Sequence, residues 1–468
     1  MDDKKTKFAV LFGNRVFFPS SLQASARKEM LQALKDNGHE VLIMDINATP
    51  HGAIESPADG CKFANFLYEN KGKFGGVILC LPNFGDETGS IAALKNAGVP
   101  ILVHAYPDEM DKMAPAFRRD AFCGKFSIMD VFKQYNLTFT ALKPHVVHPL
   151  SKDFAGNLEF FDCVCRVYNG LKSTVVGAIG ARTTAFKTVR IDEVALQKYG
   201  ITTETLDMSD IFARVKALKN EDKKVAAKVE LLQSISNWHQ VPATAVENLS
   251  KLGVVLDNII DEYGMDCLAI RCWVEMQQQL GISPCVLLGL LNDKLIASSC
   301  EVDVGNAITM RALSLATGKP SICMDWNNNY GDEENKCVLF HCGSVAPSLM
   351  TCSGRVTGHA ILENAVGKGC SFGCNQGAVK PMPISYGSMM TENGKVCFYL
   401  GQGRVTEDTL PADCFGCSCV VEIENLQNKL QQIGYLGHRH HVSLSPGHIM
   451  EPLVEAFEKY LGYDVVRL

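Results

Sequence analysis

Residues 7–45 read KFAVLFGNRVFFPSSLQASARKEMLQALKDNGHEVLIMD. Two apolar runs, Phe8 to Phe12 and Val41 to Asp45, flank a stretch from Leu22 to Asp36 whose apolar residues recur with helical spacing, and Asn37-Gly38 ends it. Gly76 to Leu81 and Ile101 to His104 continue the series. Apolar strands separated by helices predict a parallel sheet covered on both faces. Ligands of such sheets sit at the carboxyl ends of the strands, so Gly13-Asn14-Arg15 and Pro82 to Glu87 are the loops to watch.

A second series begins near Lys172. Val175 to Ile179 reads as a strand, followed by the turn Gly180 to Phe186, a helix from Asp192 to Tyr199 and a strand from Thr202 to Asp207. The Lys- and Glu-rich run Asp210 to Ser236 and the pattern Ala243 to Tyr263 predict helices, while Leu268 to Trp273 and Cys285 to Asn292 fit strands or buried helix. Beyond Lys319 glycine rises and helical periodicity fades. Short β-rich runs recur at Lys336 to His341, Val379 to Gly387, Lys395 to Leu400 and Cys417 to Ile423, with Asn393-Gly394 as a hairpin signal and a closing helix from Ile449 to Leu461. The expected fold class is α/β. Two Rossmann-like parallel-sheet domains, 1–172 and 173–318, precede a β-rich, barrel-like C-terminal domain, 319–468.

A net charge of -6 with 21% charged residues favours neither nucleic acid nor an anionic membrane surface. Met1 to Lys5 is followed only by the short run Phe8 to Phe12, and the longest other apolar run, Cys285 to Leu291, falls far short of a membrane span. A cytoplasmic protein is expected. The 19 cysteines are scattered through apolar segments and read mostly as small buried hydrophobes. Cys370 with Cys374, and Cys414, Cys417 and Cys419, have metal-like spacing, but each cluster falls short of roughly four ligands.

Chemistry gathers elsewhere. Glu301 follows the apolar segment Lys294 to Cys300, Asp325 follows Ser321 to Met324, and His438, His440 and His441 cluster late in the chain. Two carboxylates and an imidazole suit a hard divalent cation, and manganese accepts such mixed oxygen and nitrogen ligation, with cobalt or magnesium as alternatives. The interval between Glu301 and Asp325 accommodates a helix, Asn306 to Leu315, so two neighbouring parallel strands are expected to present both groups together. Asp303 fits equally an acceptor that orients a ligand or a solvated position. Trp326, beside Asp325, suits either stacking on a sugar face or the core; Trp273 and Gln277 are weaker candidates, and His448 reads as a helix cap.

The segments Glu301-Val302-Asp303 with Asn306, Asp325, and His441 to His448 resemble the ligand segments of the L-fucose isomerase and L-arabinose isomerase superfamily, in particular its fucose isomerase-like branch. His341 to Ser348 resembles the arabinose-isomerase segment that supplies a further histidine. The resemblance implies a metal-dependent aldose–ketose isomerase working through an enediol. Glu301, Asp325 and His441 become metal ligands, the two carboxylates also the proton-transferring pair, and His341 either a fourth ligand or a group that orients the sugar. His440 and His438 stay open as the late ligand.

The same resemblance places substrate contacts at Arg15, with Asn14, Phe17 and Asn83 on the same rim, and implies a homo-oligomer, a trimer or hexamer, whose rim loops reach a neighbouring site. A guanidinium also suits an anionic substituent, so a sulfonated hexose joins fucose- and arabinose-type sugars as a candidate substrate. The chain is shorter than typical fucose isomerases, and Asp325 stands where arabinose isomerases use a longer acid, which favours the fucose-like branch. From other classes come a non-catalytic sugar-binding sensor, which leaves the histidines unexplained, and an iron–sulfur protein built on Cys414, Cys417 and Cys419.

Overall fold

The computed structural model describes residues 5–411 and 414–468; Met1–Lys4, part of the leader reading, lie outside them. The chain divides into two compact units, one of Asp2–Asn169 with Pro452–Gly462, the other of Gly170–Glu451 with Tyr463–Leu468.

The first unit is built on four strands, β1 (Phe8–Phe12), β2 (Val41–Ile43), β3 (Gly76–Leu81) and β4 (Ile101–Ala105), in the order β2-β1-β3-β4, all parallel. Every residue of β1, β3 and β4 is buried, as a sheet covered by helices on both faces requires. The helix Leu22–Asp36 forms over the expected residues and ends at Asn37, with Gly38 at φ 77°. The end of the expected last helix, Pro452–Gly462, belongs to this unit. There the Tyr460 hydroxyl donates to the Ile101 carbonyl, and Thr140 Oγ1 donates to Glu455.

The second unit holds two sheets. Strands β5 (Val175–Ile179), β6 (Thr202–Leu206), β8 (Cys267–Ile270) and β9 (Ala297–Cys300) form a parallel sheet in the order β6-β5-β8-β9; β7 (Ser236–Asn237) lies outside it. The helices Ala243–Tyr263 and Cys285–Asp293 cover it. The second is buried all round, which explains why Cys285 to Asn292 carries no amphipathic signature.

The other sheet is mixed and ten-stranded. To β7 it adds β10 (Ile322–Asn329), β11 (Lys336–His341), β12 (Gly354–Thr357), β13 (Cys374–Ala378), β14 (Met382–Glu392), β15 (Lys395–Val405), β16 (Cys417–Glu422), β17 (His441–Pro446) and β18 (Asp464–Arg467). Asn393 and Gly394, at φ 50° and 73°, make the turn between β14 and β15. Because β15 also pairs with β16 at Arg404 and Val405, the pairings β15-β14-β17-β10-β11-β16 return to their starting strand.

One expectation is corrected. Glu301 and Asp325 do not sit on neighbouring strands of one parallel sheet: β9 belongs to the parallel sheet and β10 to the mixed one. Nor does Asp325 end a strand, since the polar continuation Trp326 to Asn329 pairs antiparallel with β11 and extends β10 past it. The helix between them, Val304–Thr317, does form and ends at Gly318, φ 66°.

Gly343, two residues beyond His341, has φ +123°, and a Cβ there would lie 2.4 Å from the Asn375 backbone nitrogen. Only glycine meets both conditions. Gly343→Ala is expected to cost at least about 2 kcal/mol of stability, read as a lowered denaturant midpoint; an unchanged midpoint would show that the loop relaxes freely.

Candidate active site

Strand pairing assembles half of the site. Asp325 on β10 lies directly opposite His441 on β17, and on its other side opposite Phe340, the residue before His341 on β11. Pairing thus sets His441, Asp325 and Phe340 in register on three adjacent strands, and His341, the last residue of β11, brings its ring centroid to 5.7 Å from that of His441. Alternation along β10 sends Trp326 the other way, into the core with Met324, where its indole donates to the Tyr399 hydroxyl at 3.2 Å and stands edge-on to Tyr386. Trp326 is thus a packing residue.

Glu301 arrives from the other sheet. After Cys300, the last residue of β9, the chain takes two consecutive left-handed residues, Glu301 (φ 63°) and Val302 (φ 56°), before Asp303 caps the helix Val304–Thr317 through the Asn306 N–H. A β-branched residue in this region is a conformational outlier of the kind that collects at functional sites. The helix is tied to β17 by a 2.7 Å hydrogen bond from Ser443 Oγ to Asn306 Oδ1. That tie brings the left-handed turn against His441.

Asp303, fully buried, is the centre of the arrangement. Its Oδ2 receives His441 Nδ1 at 2.7 Å and Asn306 Nδ2 at 2.7 Å; its Oδ1 receives the Asn306 N–H at 3.1 Å and the Arg439 guanidinium. The solvated alternative for this residue is excluded. With Nδ1 turned to Asp303, His441 presents Nε2 to Glu301 Oε2 at 2.8 Å and Asp325 Oδ1 at 3.4 Å. Both oxygens are buried, and apart from His441 no group among the described residues hydrogen-bonds to either. Glu301 Oε1 accepts from the Trp273 indole at 3.2 Å.

The charges are strongly coupled. Burial pushes Glu301 upward, but the His441 imidazole more than reverses this and holds the carboxyl at about 2. Burial likewise opposes ionisation of Asp303, and Arg439 with His441 keep it well below the usual carboxylate range. Burial would lower His441, yet Asp303 and Glu301 carry it up to about 10. Three carboxylates thus face one guanidinium and one imidazole, a surplus of negative charge in a desolvated place.

This donor set fits a divalent cation. Glu301, His341 and His441 form one group whose ligand-type atoms lie within 4.8 Å of one another, and Asp325, His440 and His441 form a second. His441 belongs to both. His440 is exposed, 3.7 Å from Asp325, while His438 stands edge-on to Tyr399 with its pKa lowered by burial to about 4. No cysteine joins a metal-capable group among the described residues; Cys417 and Cys419 are buried in the mixed sheet's core.

The rim candidates belong to the other unit. Asn14 and Asn83 are buried at 1% and 0% exposure and bond to each other, Asn83 Nδ2 donating to Asn14 Oδ1, so they knit two loops together instead of lining a rim. Arg15 is held above them by the Gly85 carbonyl at 2.8 Å, an ion pair to Glu87 and the face of Phe84; Phe17 is exposed. Gln277 is buried and bonds to the backbone of Cys272 and Ile282, and His448 lies at the Gly403 carbonyl.

Two neighbours escaped the sequence reading. Arg439 sat inside the histidine cluster, and its role needs Asp303, far away in sequence, to be visible. Phe186, whose ring packs 5.6 Å from His440, 5.9 Å from His441 and 5.8 Å from Trp273, lies on the turn after β5; the carboxyl-end rule, applied above only to the first sheet, would have singled out that turn.

Asp303→Asn leaves Arg439 buried without its counter-charge and weakens the hold on His441. The expected outcome is a loss of about 3–5 kcal/mol in stability and a 10- to 100-fold weaker affinity for a divalent cation. Denaturant unfolding and metal titration read the two effects separately.

Residues 9–172 match the model of the fucose/sulfoquinovose isomerase N-terminal domain, and residues 339–468 that of the L-fucose isomerase C-terminal domain. Among curated proteins, the chain is similar to one named sulfoquinovose isomerase from Alkalicoccus urumqiensis, 30% identical over 270 residues, 57% of this chain and 59% of that one. A protein of the same name from Clostridium sp. (strain MSTE9) is 27% identical over 209 residues, 44% and 46% of the two chains. Another, from Priestia aryabhattai, is 24% identical over 294 residues, 62% and 64%. The chain spans less than two thirds of the length of each of these relatives. The chain thus carries the N-terminal domain of the fucose/sulfoquinovose isomerase family and the C-terminal domain of L-fucose isomerase, with Glu301 and Asp325 between the two matched regions and His341, His440 and His441 inside the second.

Proposed function

We propose that the chain is a divalent-metal-dependent aldose–ketose isomerase, an intramolecular oxidoreductase that works through a cis-enediol. The observation that carries this reading is the convergence of Glu301 Oε2, Asp325 Oδ1 and His441 Nε2, two buried carboxylate oxygens that share the one imidazole nitrogen as their neighbour. Those three residues would hold the ion, manganese or else cobalt or magnesium. When bound, such an ion supplies Lewis-acid polarisation of two adjacent sugar oxygens.

The remaining work falls to the chain. Glu301 and Asp325 are the proton-transferring pair that moves a proton from one sugar carbon to its neighbour. Trp273 steadies Glu301 through Oε1, Asp303 and Arg439 fix the ring of His441, and Phe186 keeps water from the imidazole face. The name of the relatives, sulfoquinovose isomerase, favours an acidic hexose over a fucose- or arabinose-type sugar, with Arg15 as the contact to its anionic group in a cytoplasmic trimer or hexamer. We read the parallel sheets as Rossmann-like, the closed strand cycle as barrel-like, and the domains as 1–172, 173–318 and 319–468. Among the described residues no helix is long and apolar enough to cross a membrane.

The test is incubation of the manganese-loaded protein with aldoses, deoxy and sulfonated ones included, in deuterated water. Exchange at C2 together with ketose formation is expected, and Glu301→Gln should keep the fold while lowering exchange by about 10²–10⁴-fold. An active Glu301→Gln protein would sink the assignment, and absence of exchange with every sugar would favour a sensor.

A further inference from the structure

His341 ends β11 and is buried within the cluster, its ring centroid 5.7 Å from that of His441. The two imidazoles are wired in opposite senses. His441 sends Nδ1 to a carboxylate, which accepts, so Nδ1 carries a proton and Nε2 is left to face Glu301 and Asp325. His341 Nδ1 instead receives the backbone N–H of Cys342 at 2.9 Å. A ring nitrogen that accepts an N–H has its lone pair committed, and the proton of the neutral ring then sits on the other nitrogen. Neither nitrogen of His341 has a lone pair left for a cation.

Its Nε2–H, by contrast, is unspent: no protein group among the described residues accepts from it. The contact that fixes this tautomer is local and stiff. Cys342 is followed by Gly343, whose φ of +123° and close approach to Asn375 leave the Cys342 N–H little freedom to turn away.

We infer that His341 is not a ligand of the ion but a hydrogen-bond donor, through Nε2–H, to a hydroxyl or carbonyl oxygen of the sugar held beside the ion. This rests on the isomerase reading and says which of its imidazoles bind metal and which binds substrate. A neutral N–H donor in a desolvated site stabilises an oxygen that gains negative charge as the enediol forms, without needing its own proton to leave.

The experiment titrates metal-free protein with Mn²⁺, following the free ion by electron paramagnetic resonance, and measures C2 exchange on the same samples for wild type, His341→Gln and His441→Gln. His341→Gln is expected to bind Mn²⁺ within about threefold of wild type while exchange falls about 10²–10³-fold, whereas His441→Gln loses Mn²⁺ by more than about tenfold. A His341→Gln protein whose Mn²⁺ affinity drops tenfold or more overturns the inference, and so does one whose exchange is unchanged. If that variant does not fold, nitrogen NMR of ¹⁵N-histidine wild type loaded with diamagnetic Mg²⁺ decides: a protonated Nε2 on His341 supports the assignment and a metal-bound Nε2 overturns it. Wild type that binds no Mn²⁺ at all would be a different failure, that of the metal reading beneath it.

Discussion

The hydrogen bond from His441 Nδ1 to the buried carboxylate of Asp303 is the contact on which the candidate site turns. It joins the two sheets of the larger unit, because Asp303 begins the helix that leaves the parallel sheet and His441 begins β17 of the mixed one. It sets the tautomer of His441 and so directs Nε2 at the two carboxylates. Burying Asp303 is tolerable only because Arg439 neutralises it and Asn306 fills its remaining acceptor sites, so one ion pair, one amide and one imidazole stand or fall together.

Much of the fold could be read from local signals where those signals were one-sided. Leu22–Asp36 buries one stripe, and Ala243–Tyr263 does so at its two ends around a turn, Leu252 to Leu256, that is buried throughout; the predicted and observed limits of both coincide. Cys285–Asp293 buries every face, so its residues carry no period and stayed undecided between strand and helix. The strand β10 was read short because its second half is polar. Cross-strand pairing with β11 holds it extended, and pairing partners distant in sequence leave no mark on the strand itself.

The site divides in the same way. Glu301, Asp325 and His441 each fit a cap, a surface group or a core histidine when taken alone, and the family resemblance supplied their joint meaning. Asp303 remained open between an acceptor that orients a ligand and a solvated position because burial leaves no mark on a single acid in the sequence; the structure makes it both a helix cap and the acceptor for His441. Asn14 and Asn83 show the converse. Both stand in strand-end loops where substrate contacts are expected, yet their amides are consumed in holding those loops, and Arg15 is what they present.

The pair of left-handed residues at Glu301 and Val302 follows from these constraints. Each costs on the order of 1–3 kcal/mol relative to an ordinary conformation, so a regular turn would replace them if geometry allowed. It does not, because Glu301 and Asp303 must touch opposite nitrogens of the same His441 ring while standing only two residues apart. An extended dipeptide would carry the chain about 7 Å onward in the direction of the strand, away from the helix start that Asp303 caps. Reversing the chain at Glu301 and Val302 folds the two carboxylates around the imidazole and starts the helix in the same step. Glycine would relieve the strain, but glycine at 301 has no carboxylate and at 302 would free the turn that aims it.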